Sequence, residues 1–458
     1  MNLESSEKRS LKLPFTWPLL ATLVVAMLLI PATVLLVRLH EGEAPELELS
    51  GDFERMGAAA NVEVRAGDQR SGLRRLELLL RQGEREISLM ERDFPRASWI
   101  FKAGAGEFSR TLNLDAAALK LNDGPALLVL RARDYSWRDW LKGNRGEISA
   151  SLVVDTRPPT LSVSSATRYL RAGGAGLVRY RVDEEVERHG VVLNGFFHPG
   201  FPAPSGAPGE FLAYIALPFD TRSLDEAMVI AEDGAGNQGR SGVAVNLRRS
   251  SFPSDRINVS DNFLKGKLPE FSVHYPDMDG SYLEQYLYVN RKVREMNNRK
   301  IAEICRNSRP ERLWEGVFLR MSRSSKRAGY ADRRSYFYGG EKVDEQVHLG
   351  VDLASVKHAE VEAANHGVVV FADYLGIYGN TVIVDHGQGV FSLYSHLSRI
   401  TVEQGTQVEQ GAVLGHSGIS GMAGGDHLHF SMLVNGIFVN PVEWWDEAWV
   451  VGQLTPES

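Results

Sequence analysis

Cysteine is almost absent: Cys305 is the single one in 458 residues, which excludes an internal disulfide and a thiolate zinc cluster. That residue reads as packing inside a helix. A basic excess is absent too. Lys and Arg total 51 against 58 Asp and Glu, for a net charge of −7, and the pI is near 6.0, so nucleic acid is excluded as an expected partner. Nor does the composition suit disorder, since 43% of residues are hydrophobic and 24% charged, ordinary values for globular protein. Long apolar runs are lacking with one exception. Residues 13–37, "LPFTWPLLATLVVAMLLIPATVLLV", carry no formal charge over 25 positions, enough for a helix to cross a hydrocarbon core of about 30 Å. Lys8, Arg9 and Lys12 precede this run, and Glu41, Glu43, Glu46 and Glu48 follow it. The positive-inside rule therefore places residues 1–12 in the cytoplasm and everything after the run outside. A cleavable signal peptide is the competing reading; its apolar region is usually shorter, about 7–15 residues, and no clear small-x-small cleavage site follows. The expectation is an uncleaved single-pass anchor in the cytoplasmic membrane.

At roughly 150 residues per domain, the length suggests about three units. From residue 46 to 249 the chain reads as short apolar alternations, "NVEVRAG", "ASLVVD", "LVRYRV" and "GVAVNL", separated by Gly, Pro, Asp and Asn, the pattern of β-sandwiches. Pro158 and Pro159 in "DTRPPT" interrupt the ladder and mark a junction. "LLVLRARDYSWRD" and "MVIAEDGAGNQGR" form a weak repeat about 100 residues apart. With the "DTRPP" linker and "AEDGAGNQG", this part resembles bacterial immunoglobulin-like modules, one over residues 46–155 and one over 157–249. Such modules usually serve as spacers or adhesive units. Residues 250–335 change character: "GSYLEQYLYVNRKVREMNNRKIAEICRN" has apolar positions at helical spacing, predicting an amphipathic helix in a connecting segment. "RSYFYGGEKVDEQ" then predicts a strand and a turn.

Histidine is concentrated where the other residues are ordinary. Eight of the twelve, His348, His358, His366, His386, His396, His416, His427 and His429, lie between positions 348 and 429, which favours a metal or acid–base site. In "GGDHLHFSM" a strand would put His427 and His429 on one face and Leu428 and Phe430 on the other. The following Asn435-Gly436 is a strong hairpin signal, so 427–434 reads as one strand of an antiparallel pair. "HLGVD" sets His348 four residues before Asp352, and a flexible loop would bring this imidazole and carboxylate to one point, suitable for Zn²⁺. "YSHL" adds His396 at a strand end. Each motif alone admits an ordinary structural reading; together they offer more than the three protein ligands a catalytic zinc needs.

In order and approximate spacing, "HLGVD", "YSHLS" and "GDHLHF" resemble the LytM or lysostaphin-like zinc metallopeptidases, peptidase family M23, over residues 336–447. The resemblance implies one Zn²⁺ per chain held by His348, Asp352 and His429, with His396 and His427 as the catalytic pair. Taken with the readings above, it gives a mainly β chain: an N-terminal transmembrane helix, two immunoglobulin-like β-sandwiches, a helical connection and a C-terminal antiparallel β metallopeptidase domain. Family members cleave peptides of bacterial peptidoglycan, so the expected partners are peptidoglycan peptides, the inner membrane through the N-terminal helix, and envelope protein regulators; the catalytic domain is expected in the periplasm. The alternative is a non-catalytic envelope scaffold or activator of other wall hydrolases, which degenerate members of the family provide. Tyr338 is the expected oxyanion-side hydroxyl from the family pattern, with a packing role open. Asp426 and Ser431 depart from the common pattern, and Asp426 reads as a turn residue. His386, His416, His358 and His366 read as structural or solvated.

Overall fold

In a computed structural model, residues 17–97, 104–204 and 206–454 are described; the expected cytoplasmic residues 1–12 and the first four residues of the apolar run lie outside them. The run forms the helix Trp17–Leu39, the one helix among the described residues long and apolar enough to cross a membrane. Leu23, Met27, Leu28 and Ile30 all stand exposed. Its two threonines hide their hydroxyls, Thr22 donating to the Pro18 carbonyl and Thr33 to that of Leu29, each at 2.7 Å.

The chain divides into two compact units, residues 1–157 with 234–237, and 158–233 with 238–458. In the first, a three-stranded sheet, ordered Glu46–Ser50, Ala59–Gly67, Glu107–Asp115, and a five-stranded sheet, ordered Arg55–Met56, Arg145–Val154, Gly124–Asp134, Leu73–Gln82, Arg85–Asp93, share one apolar core. Period-two patterning makes this possible: Ala60, Val62, Val64 and Ala66 of one strand all turn inward.

Within the second unit, two four-stranded sheets pack around Val178, Tyr180, Val191, Ile215 and Val229. The strand Glu210–Ala216 is covered on both faces, because Leu212, Tyr214 and Ala216 join the C-terminal core while Ala213 and Ile215 join the sandwich core. That explains its unbroken "FLAYIA", where a half-solvated strand would alternate. Tyr214 meets Trp314 at 5.8 Å between ring centroids, so this sandwich is built onto the C-terminal sheet rather than hanging from it as a spacer.

The connection is only partly helical. Asp261–Ser272, Tyr282–Tyr288 and Arg294–Ile304 are α-helices, the last two joined by a π turn at Val289–Val293, and Ser281 with Glu284 forms a capping box. Cys305 is buried at the end of the last helix. The strand Ser254–Asn258, however, pairs in parallel with Arg333–Tyr338, the predicted strand, which continues through its turn into a second arm, Glu341–Val347. The main C-terminal sheet runs Ser325–Ala328, Val351–Ala354, Leu428–Val434, Val390–Leu397, Asn380–Asp385, Gly367–Tyr374, Gln407–Val408, with Ile437–Val439 paired to Leu428–Val434 across Asn435-Gly436. Both turn residues have positive φ, 52° and 81°, as a two-residue hairpin requires.

Candidate active site

Cross-strand register assembles the centre. Asp352 and Ser395 both lie opposite His429, on the two strands that flank Leu428–Val434; directly opposed residues share a face. His348 follows the strand Glu341–Val347 by one residue, so "HLGVD" is a tight passage between two strands and not a flexible loop. Gly350 makes that passage possible, since a Cβ there would meet Ser431 Oγ at 2.5 Å and His429 Nε2 at 2.6 Å. Behind the polar face, Leu428 and Phe430 are each 2% exposed, and Phe430 packs on Tyr394 and Trp445. His427 itself precedes the strand and makes an isolated bridge to Gly418.

Three acceptor atoms converge. His348 Nε2 lies 2.9 Å from Asp352 Oδ1 and 2.9 Å from His429 Nδ1, and His429 Nδ1 lies 3.0 Å from Asp352 Oδ1. The surrounding hydrogen bonds assign the tautomers. His348 Nδ1–H donates to the Gly329 carbonyl at 2.8 Å. Ser431 donates its only hydroxyl proton to the Leu349 carbonyl and therefore accepts from His429 Nε2–H at 3.0 Å. Two imidazole lone pairs and a carboxylate oxygen thus face one another with no proton between them. Such a donor set repels itself unless a cation sits among it, and neutral imidazole with carboxylate is the chemistry of zinc. Zn–N bonds of about 2.0–2.1 Å at tetrahedral angles put ligand atoms about 3.3 Å apart, so spreading by a few tenths of an ångström suffices. Among the described residues, this is one of three groups of metal-ligating side chains, all three of its members being buried.

Burial works to raise the Asp352 pKa, but positive charge at His348 and hydrogen bonds from His348, His427 and His429 when these imidazoles carry a proton outweigh it and hold the carboxyl well below its usual range. A metal ion would meet the same demand for positive charge. Burial lowers His429 to about 4. Burial and then His427 and His429 lower His396 well below the ordinary imidazole value. His427 moves the other way: burial opposes its charge, yet Asp352, 3.5 Å from Nε2, raises it. The two extra histidines are fixed alike, His396 Nδ1–H donating to the Ser420 carbonyl at 2.8 Å and His427 Nδ1–H to that of Gly425 at 2.7 Å. Each is left with Nε2 for the cavity, and their rings stand 4.9 Å apart. His396 has φ of +63°, a left-handed conformation uncommon outside glycine and asparagine.

Arg334 was not marked by any sequence motif. Its guanidinium donates to Asp352 Oδ2 at 2.9 Å, occupying the carboxylate oxygen that the imidazoles do not use. Hydrogen bonds to a ligand's far atom fix its orientation, and their loss costs about 10–100-fold in metal affinity. Arg334→Met is expected to weaken zinc binding by that factor in competition with a chromophoric chelator. An unchanged affinity would show the guanidinium to be incidental.

The centre lies in a cavity of about 340 Å³. Ile377, Tyr378 and residues 422–424 form one side, and Val259, Phe263, Tyr286 and Arg294 from the connecting segment form another. That segment is tied down: Glu270 accepts from the Gly421 amide at 2.5 Å, Lys267 donates to the Ile419 carbonyl, and Asn297 accepts from the Ile377 amide at 2.9 Å. Tyr338 is absent from the cavity lining and donates instead to Asp261 at 2.6 Å. Tyr336, two residues earlier on the same strand, lines the cavity in its place; the extra residue of the local bulge, Val343, lies on the partner strand. Asp426 accepts from Ser417 and the His358 amide. His386 is fully buried between the His366 carbonyl and Ser392.

A buried cluster of two imidazoles and a carboxylate on one antiparallel sheet, with two further imidazoles beside it, is a group that could hold a metal ion. The family model "Peptidase family M23" matches residues 346–441, and the C-terminal domain of this chain is a peptidase family M23 domain. The DD-carboxypeptidase/endopeptidase Mpg of Neisseria meningitidis is 41% identical over 97 residues, 21% of this chain and 22% of that protein. The peptidoglycan DD-endopeptidase ShyC of Vibrio cholerae is 38% identical over 96 residues, 21% of this chain and 22% of that protein. The murein hydrolase activator EnvC of Escherichia coli is 36% identical over 107 residues, 23% of this chain and 26% of that protein. These matches span about a quarter or less of the curated relatives' length. Among solved structures, the catalytic domain of the antimicrobial peptidase lysostaphin from Staphylococcus simulans is 28% identical, with 28% of this chain and 96% of that chain covered and a TM-score of 0.24.

Proposed function

We propose that this chain is a membrane-anchored zinc endopeptidase that hydrolyses cross-links or stem peptides of bacterial peptidoglycan. The observation that carries the reading is the convergence of three unprotonated acceptors, His348 Nε2, His429 Nδ1 and Asp352 Oδ1, beside two imidazoles whose Nδ1 atoms are both engaged by carbonyls. His348, Asp352 and His429 hold the zinc. When bound, zinc supplies Lewis-acid polarisation of a carbonyl and makes water more acidic. His396 and His427 exchange protons at Nε2, taking one from the attacking water and returning one to the leaving amine, and hydrogen-bond the tetrahedral oxyanion. Arg334 holds Asp352 ionised and oriented. Leu428 and Phe430 anchor the strand so that these positions are preorganised.

The apolar run 13–37 serves as the single anchor in the inner membrane, with residues 1–12 cytoplasmic because Lys8, Arg9 and Lys12 precede it and the rest periplasmic. Immunoglobulin-like modules occupy 46–155 and 157–249, followed by the connection 250–335 and the peptidase domain 336–447. The activator or scaffold reading is disfavoured by the complete set His348, Asp352, His396, His427 and His429 in one cavity.

The test is metal removal. Full-length protein in nanodiscs is expected to release new amino termini from purified peptidoglycan, to stop after dialysis against 1,10-phenanthroline, and to recover with one equivalent of zinc. Release that continues in the stripped protein, or none from protein holding one zinc per chain, overturns the reading.

A further inference from the structure

Immediately beyond the apolar helix, the first unit carries an exposed aromatic turn. Trp140 is 93% exposed and Leu141 62%, the largest exposure of any tryptophan outside the helix among the described residues. They are held out by an unusual backbone: Asp139, Trp140 and Leu141 have φ of 48°, 54° and 68° in succession. Non-glycine residues rarely adopt this left-handed conformation, and three in a row persist only where the surroundings enforce it. The enforcement is visible. Arg74 Nη1 donates to the Leu141 carbonyl at 3.0 Å, and the Gly143 amide donates to that of Arg138 at 3.2 Å.

The same turn clasps the end of the helix. The Trp137 amide donates to the Leu39 carbonyl at 2.7 Å, Ser136 Oγ donates to that of Glu41 at 2.9 Å, and a Cβ on Gly42 would strike the Arg138 guanidinium at 2.9 Å. No slack separates helix and turn. A helix of 23 residues is about 34 Å long, against a hydrocarbon core of about 30 Å, so Leu39 emerges at the headgroup level and sets the turn there with it. Tryptophan is enriched at that depth, its ring in the acyl boundary and its N–H in the headgroups. Arg74, Arg138 and Lys142 around it suit lipid phosphates, while Arg133 faces the Asp139 carboxylate at 3.8 Å.

We propose that residues 137–142 are a second membrane contact, with Trp140 and Leu141 inserted into the periplasm-facing leaflet and the adjoining cations on phosphates, so that the first sandwich is held in a fixed orientation on the bilayer instead of swinging on a tether. The proposal rests on reading the helix as a membrane span. Its partner is the phospholipid surface itself.

Single nitroxide labels in the full chain test both readings separately, since the native cysteine is buried. Labels are placed at Trp140→Cys, Leu141→Cys, Leu29→Cys within the helix, and Gly83→Cys, the hairpin tip at the far end of the strand that begins at Leu73. In nanodiscs of phosphatidylethanolamine and phosphatidylglycerol, positions 140 and 141 are expected to collide with lipid-soluble oxygen at least about threefold more than with an aqueous nickel chelate, with the ratio reversed at 83. A lipid-exposed label at 29 with water-exposed labels at both 140 and 141 overturns this proposal and leaves the anchor intact; a water-exposed label at 29 overturns the anchor as well. Shielding of 140 that appears only when peptidoglycan fragments are added also overturns the proposal, because the turn would then be a wall-binding element.

Discussion

His348→Ala and His429→Ala are each expected to lose stoichiometric zinc and to lower peptidoglycan cleavage by about a thousandfold or more, roughly 4 kcal/mol of transition-state stabilisation. The reason lies in the count of donors. Three protein atoms are the minimum for a catalytic zinc that keeps a coordination position open, and the converging group holds three, so the loss of one imidazole leaves two. In either alanine variant Arg334 still holds Asp352 from its other oxygen. Zinc by atomic absorption and new amino termini by labelling read the two consequences independently. Cleavage that survives in both variants would remove these residues from the centre.

A different signature is expected from His396→Asn and His427→Ala. Zinc stays near one per chain while turnover falls about 10²–10⁴-fold, the usual contribution of a positioned proton donor or acceptor. Asparagine is chosen at 396 because φ there is +63° and asparagine tolerates that region better than alanine. The fall should appear in kcat more than in KM, since both imidazoles act on a proton that moves only as the bond breaks. Loss of zinc in either variant would make that histidine a ligand; unchanged turnover would make it a bystander.

The sequence was informative where chemistry forces residue identity. His348, Asp352, His396, His427 and His429 stand out because five polar groups interrupt apolar strands at motif spacing, and the structure brings all five into one cavity. Arg334 was not legible, because one arginine in "RRSYFY" looks like any solvated strand position until the partner strand supplies Asp352. Tyr338 was misplaced for a related reason: it ends its strand and its hydroxyl meets Asp261, a partner 77 residues away in the chain that nothing local announces. The amphipathic helix after Gly280 was legible from its periodicity, but the helix Asp261–Ser272 was not, nor was the use of either as a wall of the cleft, since Lys267, Glu270 and Asn297 find partners about 80 to 150 residues away, beyond the reach of any local pattern. Docking of the second sandwich leaves only an after-the-fact trace, the unbroken apolar run of Glu210–Ala216.

Much of the centre's geometry is stored at the far end of its strand. The Asn435 amide donates to the Gly389 carbonyl at 2.7 Å, and any side chain at Gly389 would collide with Asn435 Oδ1 at 2.0 Å. From that clasp the pairing counts inward, Val390 with Val434 through to Ser395 with His429. Side chains alternate along a strand, so a slip of one rung would turn Leu428 and Phe430 toward Asp352 and bury both histidines in the core. A hairpin corner that touches no substrate is therefore the zero mark from which the positions of His429, His427 and His396 are measured.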